Sequence, residues 1–155
     1  MLKTNNSELK TQRNLMQDCI FCRIVAGQLP AARVLETAGV LAFLDIAPVH
    51  YGHTLVIPKA HHQNLLDLPD GLWQEIGQVC RRVAQAIQLN LKAQGFNIGM
   101  NNFAAAGQEV FHAHVHVIPR YVGDGLKLFP QGSYKSGELE KMAYQLRQAL
   151  ENLTG

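Results

Sequence analysis

Apolar residues recur along this chain with two different periods, and the switches between them mark the elements. From about residue 70 to 94, Leu72, Ile76, Val79, Val83, Ile87 and Leu91 return at helical spacing, with Asp70 placed as an N-cap and Gly95 as a stop. That spacing predicts one long amphipathic helix. A second stripe of Leu139, Met142, Ala143, Leu146, Ala149, Leu150 and Leu153 predicts a final helix over residues 136–152. Elsewhere the runs are short and rich in branched and aromatic residues. "GVLAFLD" and "HTLVIPK" read as two strands joined by "IAPVHYG", whose Pro48 and Gly52 are turn formers. "FNIGMN" alternates like a strand, "FAAAGQE" is a loop, and "FHAHVHVIPR", residues 111–120, is a further strand that Pro119 closes. Near the start, "CIFCRIVAGQLPAARVLE" predicts a short helix with Ile20, Phe21, Ile24 and Val25 apolar. Gly27 and Pro30 break it, and a brief strand follows. Strands interrupted by one long helix, without strict βαβ alternation, predict an α+β fold with a mostly antiparallel sheet.

Composition adds little to this outline. A length of 155 residues with 47% hydrophobic content fits one domain with a substantial core. The net charge of +2 comes from 14 basic and 12 acidic residues mixed along the chain, so no patch suits a long nucleic acid, although a small anion could bind. The first eighteen residues are polar and lack the apolar core of a signal peptide. No later run approaches a membrane span. The expectation is a cytoplasmic protein with a flexible extension over residues 1–18. Three cysteines are too few for a disulfide framework, so reduced thiols are expected.

The histidines change the picture. His50, His53, His61 and His62 form one cluster, and His112, His114 and His116 form another about fifty residues on. Successive strand side chains point to opposite faces, so the three rings share one face while Phe111, Ala113, Val115 and Val117 share the core face. Three metal ligands from one straight strand is awkward, because the outer two start roughly 13 Å apart. A division of labour is easier. A neutral imidazole attacks phosphorus well when its other nitrogen donates to a fixed acceptor, which picks out the middle ring, His114. The bland alternative is a half-exposed strand that happens to carry histidines. Cys19 and Cys22 form a C-x-x-C that alone fits redox chemistry, zinc or chance.

The run His112-Ala113-His114-Val115-His116-Val117-Ile118 resembles the signature of the histidine triad (HIT) family. "LAFLDIAPVHYGHTLVIPKAHH" and "NNFAAAGQEVFH" resemble the family's upstream segment and its loop before the triad, so the similarity runs from about Cys19 to Gly125. The resemblance implies a HIT domain over residues 19–155. Its fold would be α+β, a mostly antiparallel five-stranded sheet with one long helix and a C-terminal helix. It also implies a nucleotide hydrolase or nucleotidyl transferase acting at an α-phosphate through a nucleotidyl-histidine intermediate. In that pattern His114 is the nucleophile, His116 contacts the phosphate and His53 supports the site. Asp45 matches the residue that takes the ribose hydroxyls. Asn101, Gly107 and Gln108 match the residues lining the phosphate and leaving-group side. Cys19, Cys22, His61 and His112 match the ligands of a structural zinc in bacterial members, a closed tetrahedral set, with no catalytic metal required. The implied partners are a purine nucleotide substrate containing AMP and a second copy in a homodimer.

Two departures stand out. Glu109 follows Gln108 where many members carry a hydroxyl residue, and the single tryptophan is Trp73 where the phosphoramidate-cleaving branch often carries a tryptophan in its C-terminal tail. "IPRYVGDG" looks closer to the bacterial and dinucleoside-polyphosphate branches. The rival readings are a nucleotide-binding sensor or scaffold with little turnover and a metal-buffering module.

Overall fold

The structure, a computed structural model, describes residues 18–127 and 129–153. The extension expected over residues 1–18 lies outside the described residues except for Asp18. The chain divides after Asp124 into two compact units, and every candidate site residue belongs to the first.

In the first unit the order is α1 (Ile20–Val25), β1 (Arg33–Glu36), β2 (Val40–Leu44), β3 (Thr54–Pro58), α2 (Asp70–Leu91), β4 (Gly95–Gly99) and β5 (Val115–Arg120). The strands form one five-stranded sheet in the order β1-β2-β3-β5-β4. Every neighbouring pair is antiparallel. The sheet is central because β2 and β3 are buried on both faces. Val40, Ala42, Val56, Val115 and Val117 point one way, against Ile76, Val79, Cys80, Val83, Ala84 and Ile87 of α2. Leu41, Phe43, Leu55 and Ile57 point the other way, against Phe21, Cys22 and Ile24 of α1. A long helix covers one face and a helix of one and a half turns covers part of the other. The uncovered remainder of that second face is where a cleft can open.

Several local expectations shift. Pro69, not Asp70, is the N-cap of α2 and makes no side-chain capping bond. Asp70 lies inside the first turn, where its carboxylate complements the positive helix end. The helix stops at Leu91 because Lys92 takes a left-handed conformation at φ 52°, and Gly95 instead begins β4. Pro119 does not close β5 but lies within it, paired with Phe96 of β4. It is tolerated because β3 pairs with β5 only as far as Val117, so one side of β5 needs no donor there. Phe111, assigned to the core face, is half exposed. His112 and His114 precede the regular ladder of β5, yet they keep its alternation, because the Ala113 N–H donates to the His62 carbonyl at 2.6 Å beyond the end of β3.

In the second unit, α3 (Glu138–Leu153) begins after Gly137, which adopts φ 79°. Its apolar stripe of Leu139, Met142, Leu146, Leu150 and Leu153 is present as expected, and none of the helix is buried. Among the described residues no helix is long and apolar enough to cross a membrane.

Ile76 is 1% exposed between α2 and the sheet, so Ile76→Ala should lower unfolding free energy by about 2–5 kcal/mol. Leu89→Ala on the same helix, at 80% exposure, should change it by no more than about 0.5 kcal/mol. Denaturant unfolding of the two variants checks both.

Candidate active site

Alternation along three strands carries six side chains to the same face. Phe43 and Asp45 leave the end of β2, His53 and Leu55 enter β3, and His114 and His116 stand beside them, joined by the Leu55–His116 register pair. All but His53, which reaches it only through its bond to His116, join Phe21, Ile24 and Leu29 around a cleft of about 650 Å³, to which Asn101, Gly107 and Glu109 add the far wall. A mostly apolar concave site with a few convergent polar groups is the usual form of a small-molecule site.

Hydrogen bonds fix the tautomer of each ring. A carbonyl can only accept, so the 2.7 Å contact between His114 Nδ1 and the His112 carbonyl is an N–H donation. His114 Nε2 then keeps its lone pair. The Val49 N–H donates to His53 Nδ1 at 3.2 Å, so the proton of neutral His53 sits on Nε2 and is given to His116 Nδ1 at 2.9 Å. That leaves His116 with its own proton on Nε2, a donor. Asp45 Oδ2 lies 3.7 Å from His53 Nδ1, but the Val49 donor already occupies that nitrogen, so the two are neighbours and not an ion pair. Asp45 Oδ1 accepts from the Ala47 N–H at 2.8 Å, which pins the carboxylate at the cleft edge.

Burial favours the neutral forms of His116 and His53. It pushes His116 down to about 4, helped by His114 and His53 and opposed by Asp45. His53 is lowered by burial, against the pull of Asp45. The two rings therefore meet a ligand as oriented N–H dipoles and lone pairs, with no standing charge.

Of the residues matched to the reaction, Gln108 as well as His53 is not part of the cleft wall. Gln108 is 4% exposed and turned into its own loop: its amide N–H groups donate to Gln63 O at 2.6 Å and Val110 O at 3.0 Å, and its carbonyl accepts from Phe103 N–H at 2.8 Å. Both of its N–H donors are used within the loop, and its carbonyl holds Phe103 at φ 67° in the turn that presents Gly107. Asn101, which does line the cleft, is steadied by Nδ2 donating to Gly107 O at 3.3 Å.

His112 also departs from the cleft. It is fully buried behind His114, with Nε2–H donating to Pro58 O at 2.8 Å, so Nδ1 faces Cys19 Sγ at 3.4 Å and Cys22 Sγ at 3.5 Å. His61 Nδ1 lies 3.3 Å from Cys22 Sγ. One ligand atom each from Cys19, Cys22, His61 and His112 falls within 4.8 Å of the others. Two sulfurs and two imidazoles whose lone pairs converge fit a tetrahedral zinc. The ring tautomer of His112 is set by an outer carbonyl, as metal-binding imidazoles require. Burial, and then the adjoining Cys19 thiol, pushes the Cys22 thiol up to about 12. A dication at that point would reverse this by binding the thiolate. Sequence reasoning missed the Pro58 carbonyl, the Val49 N–H and the Phe21 wall; backbone groups leave no residue-type signal, whereas the apolar face of "CIFCRIV" did carry one.

Comparison with known proteins finds relatives in both sequence and fold. The sequence pattern of the HIT domain matches residues 26–123. An uncharacterized HIT-like protein of Borreliella burgdorferi is 46% identical over 128 residues, spanning 81% of this chain and 91% of the relative. An Arabidopsis thaliana protein named adenylylsulfatase HINT3 is 38% identical over 135 residues, 85% of this chain and 67% of its own length. The crystal structure of a HIT family member from Bacillus subtilis superposes with a TM-score of 0.78 at 41% identity, covering 84% of this chain and 96% of that one. A Zn-bound histidine triad family protein from Mycobacterium smegmatis gives 0.70 at 42% identity, covering 86% and 99%.

Neutral burial has a pH signature. His112 and His116 both fall from 6.5 to about 4 in the folded chain, burial being the main cause. Between those values the unfolded chain binds protons that the folded one does not, so stability is complete above 6.5 and declines as pH falls toward 4. In chelator, the urea midpoint should drop between about pH 7 and about pH 5, and His116→Asn should flatten the drop. An unchanged midpoint would contradict neutral burial.

Proposed function

The chain belongs to the HIT domain family, and from that premise we propose that it is a nucleotide hydrolase or nucleotidyl transferase cleaving at an α-phosphate through a covalent intermediate on His114. The observation that carries this reading is the His114 ring itself: its Nδ1–H is held by the His112 carbonyl, and its free Nε2 belongs to a ring lining a cleft shared with Asp45 and His116. The fixed carbonyl stabilises the positive charge that the ring gains as it attacks. His114 Nε2 forms a bond to phosphorus, and the bond from phosphorus to the leaving group breaks with its electron pair. Water then attacks phosphorus from the opposite side and releases His114. In sum the water hydroxyl ends on phosphorus and a proton ends on the leaving group.

The remaining residues have supporting roles in this reading. His116 donates from Nε2 to a phosphate oxygen, and His53 holds it in that tautomer by donating to Nδ1. Asp45 accepts from the ribose hydroxyls with the oxygen that Ala47 leaves free, and Asn101 and Gly107 border the phosphate. Gln108 shapes the loop. The apolar wall of Phe21, Ile24, Leu29 and Phe43 suits the base of an AMP-containing purine nucleotide. The Arabidopsis relative named adenylylsulfatase supports hydrolysis at a nucleotide phosphate.

Zinc, held by Cys19, Cys22, His61 and His112, would serve as a structural crosslink between the start of α1 and the segment before β5. The convergent donor set and the Zn-bound mycobacterial relative support it. His112 would then anchor the carbonyl that orients His114.

His114→Ala should lose at least about a thousandfold in turnover while still binding nucleotide. Wild-type protein quenched during turnover should yield a nucleotidyl adduct that is labile in acid and stable in base. Binding with no adduct and no turnover would make the protein a nucleotide sensor instead. Protein purified without chelator should carry one zinc per chain, and Cys22→Ser should lose it along with several degrees of thermal midpoint; absence of zinc from the wild type would remove that assignment.

A further inference from the structure

The cleft beside His114 would handle an anion, yet among the described residues no Lys or Arg lines it. Its lining includes two carboxylates, Asp45 and Glu109, with the imidazoles of His114 and His116. Asp45 is held at the cleft edge by the Ala47 N–H, with its second oxygen left for the ribose. Glu109 is exposed and has no hydrogen-bonding or ionic partner among the described residues. It also lines a second cavity of about 320 Å³ beside Asp18, Cys19, Ile20, His61 and Val110, which again has no Lys or Arg among its described wall residues; a zinc held through Cys19 and His61 would have its charge balanced by the two thiolates. Ile20, Glu109 and Val110 are common to both cavities, whereas Asp45 borders only the first. With the ribose at Asp45, the other half of a substrate bonded to the same phosphorus is left to extend past Glu109.

A carboxylate at that junction acts on whatever leaves. An unpaired anion lining the same cleft as His114 raises the energy of further negative charge there and lowers that of positive charge, an effect that solvent and salt screen at an exposed carboxylate. Diadenosine polyphosphates and adenylyl sulfate would carry an anion into this position. A nucleoside phosphoramidate with a cationic side arm on its amine would carry the complementary charge.

We propose that Glu109 is a specificity-determining residue that selects the leaving group by charge, favouring cationic amines joined through a P–N bond over polyphosphate or sulfate. The assignment rests on His114 acting as the nucleophile. It runs against the likeness of "IPRYVGDG" to the dinucleoside-polyphosphate branch, and it gives the departure at position 109 a physical consequence. Glu109 touches the leaving group and is not asked to form or break a bond.

The test compares kcat/KM for two donors of the same nucleotide: an adenosine phosphoramidate of a lysine α-ester, linked through one amine and cationic at the other, and diadenosine triphosphate. Wild-type protein should prefer the phosphoramidate. Glu109→Gln, which keeps the shape, should shrink that preference by about tenfold, and Glu109→Lys should shrink it further. Both differences should fall as salt is raised, and Glu109→Asp should restore most of the preference. A ratio that stays put in both charge variants, or moves without salt dependence, would overturn the assignment while leaving the hydrolase reading intact. If the wild type turns over neither donor and forms no adduct at His114, both readings fall together.

Discussion

Two backbone carbonyls decide what the buried imidazoles can do. Pro58 O takes the Nε2 proton of His112 and so turns that ring's lone pair toward the sulfurs of Cys19 and Cys22; His112 O takes the Nδ1 proton of His114 and so turns the opposite lone pair toward the cleft. Consecutive members of one motif therefore face different chemistry through opposite nitrogens. Neither ring could be exchanged for the other without leaving a buried carbonyl unsatisfied, which costs about 1–3 kcal/mol. The geometry needs the segment before β5 to stay extended although it is outside the regular ladder, and the bond from Ala113 N–H to His62 O supplies that support.

The layering of the sheet provides the setting. Because β2 and β3 are apolar on both faces, the sheet is a wall between two cores, one against α2 and one against the short α1. The smaller core covers only part of its face. The strand ends beyond it carry Asp45, His53 and His116, so polar groups gather where the apolar cover runs out, and the low-dielectric wall behind them keeps His53 and His116 neutral. Among the described residues of the cleft wall, Asp45 and Glu109 are the carboxylates and no Lys or Arg answers them. On the proposed reading, such a cleft would stabilise a phosphate through oriented N–H groups and leave discrimination between leaving groups to the carboxylate at its margin.

Much of this is legible in the residues. Period-two alternation in "FHAHVHVIPR" places the rings on one side and Ala113, Val115 and Val117 on the other, and the second cluster of histidines points to a second segment at the same place, which is His53 beside His116. The long helix and the antiparallel sheet follow from spacing. The misplaced details share one cause, a local propensity that tertiary contacts override. Gly95 has the propensity of a helix stop, but Lys92 accepts the left-handed conformation first; Pro119 has that of a strand terminator, but the neighbouring strand has already ended beside it. Gln108 has the chemistry of a phosphate ligand, but its amide is consumed inside the loop.

What the amino-acid order determined by itself is which side chains share a face, since alternation is a property of the extended backbone and holds wherever the strand lies. It also determined the chemical kinds available: three thiols, seven imidazoles and a carboxylate at the position after Gln108. Only the tertiary structure decided which nitrogen of each ring is free, which amide is already committed and where charge goes unanswered. Those depend on carbonyls and N–H groups brought together by folding, some from segments fifty or more residues away, and every residue type carries the same carbonyl.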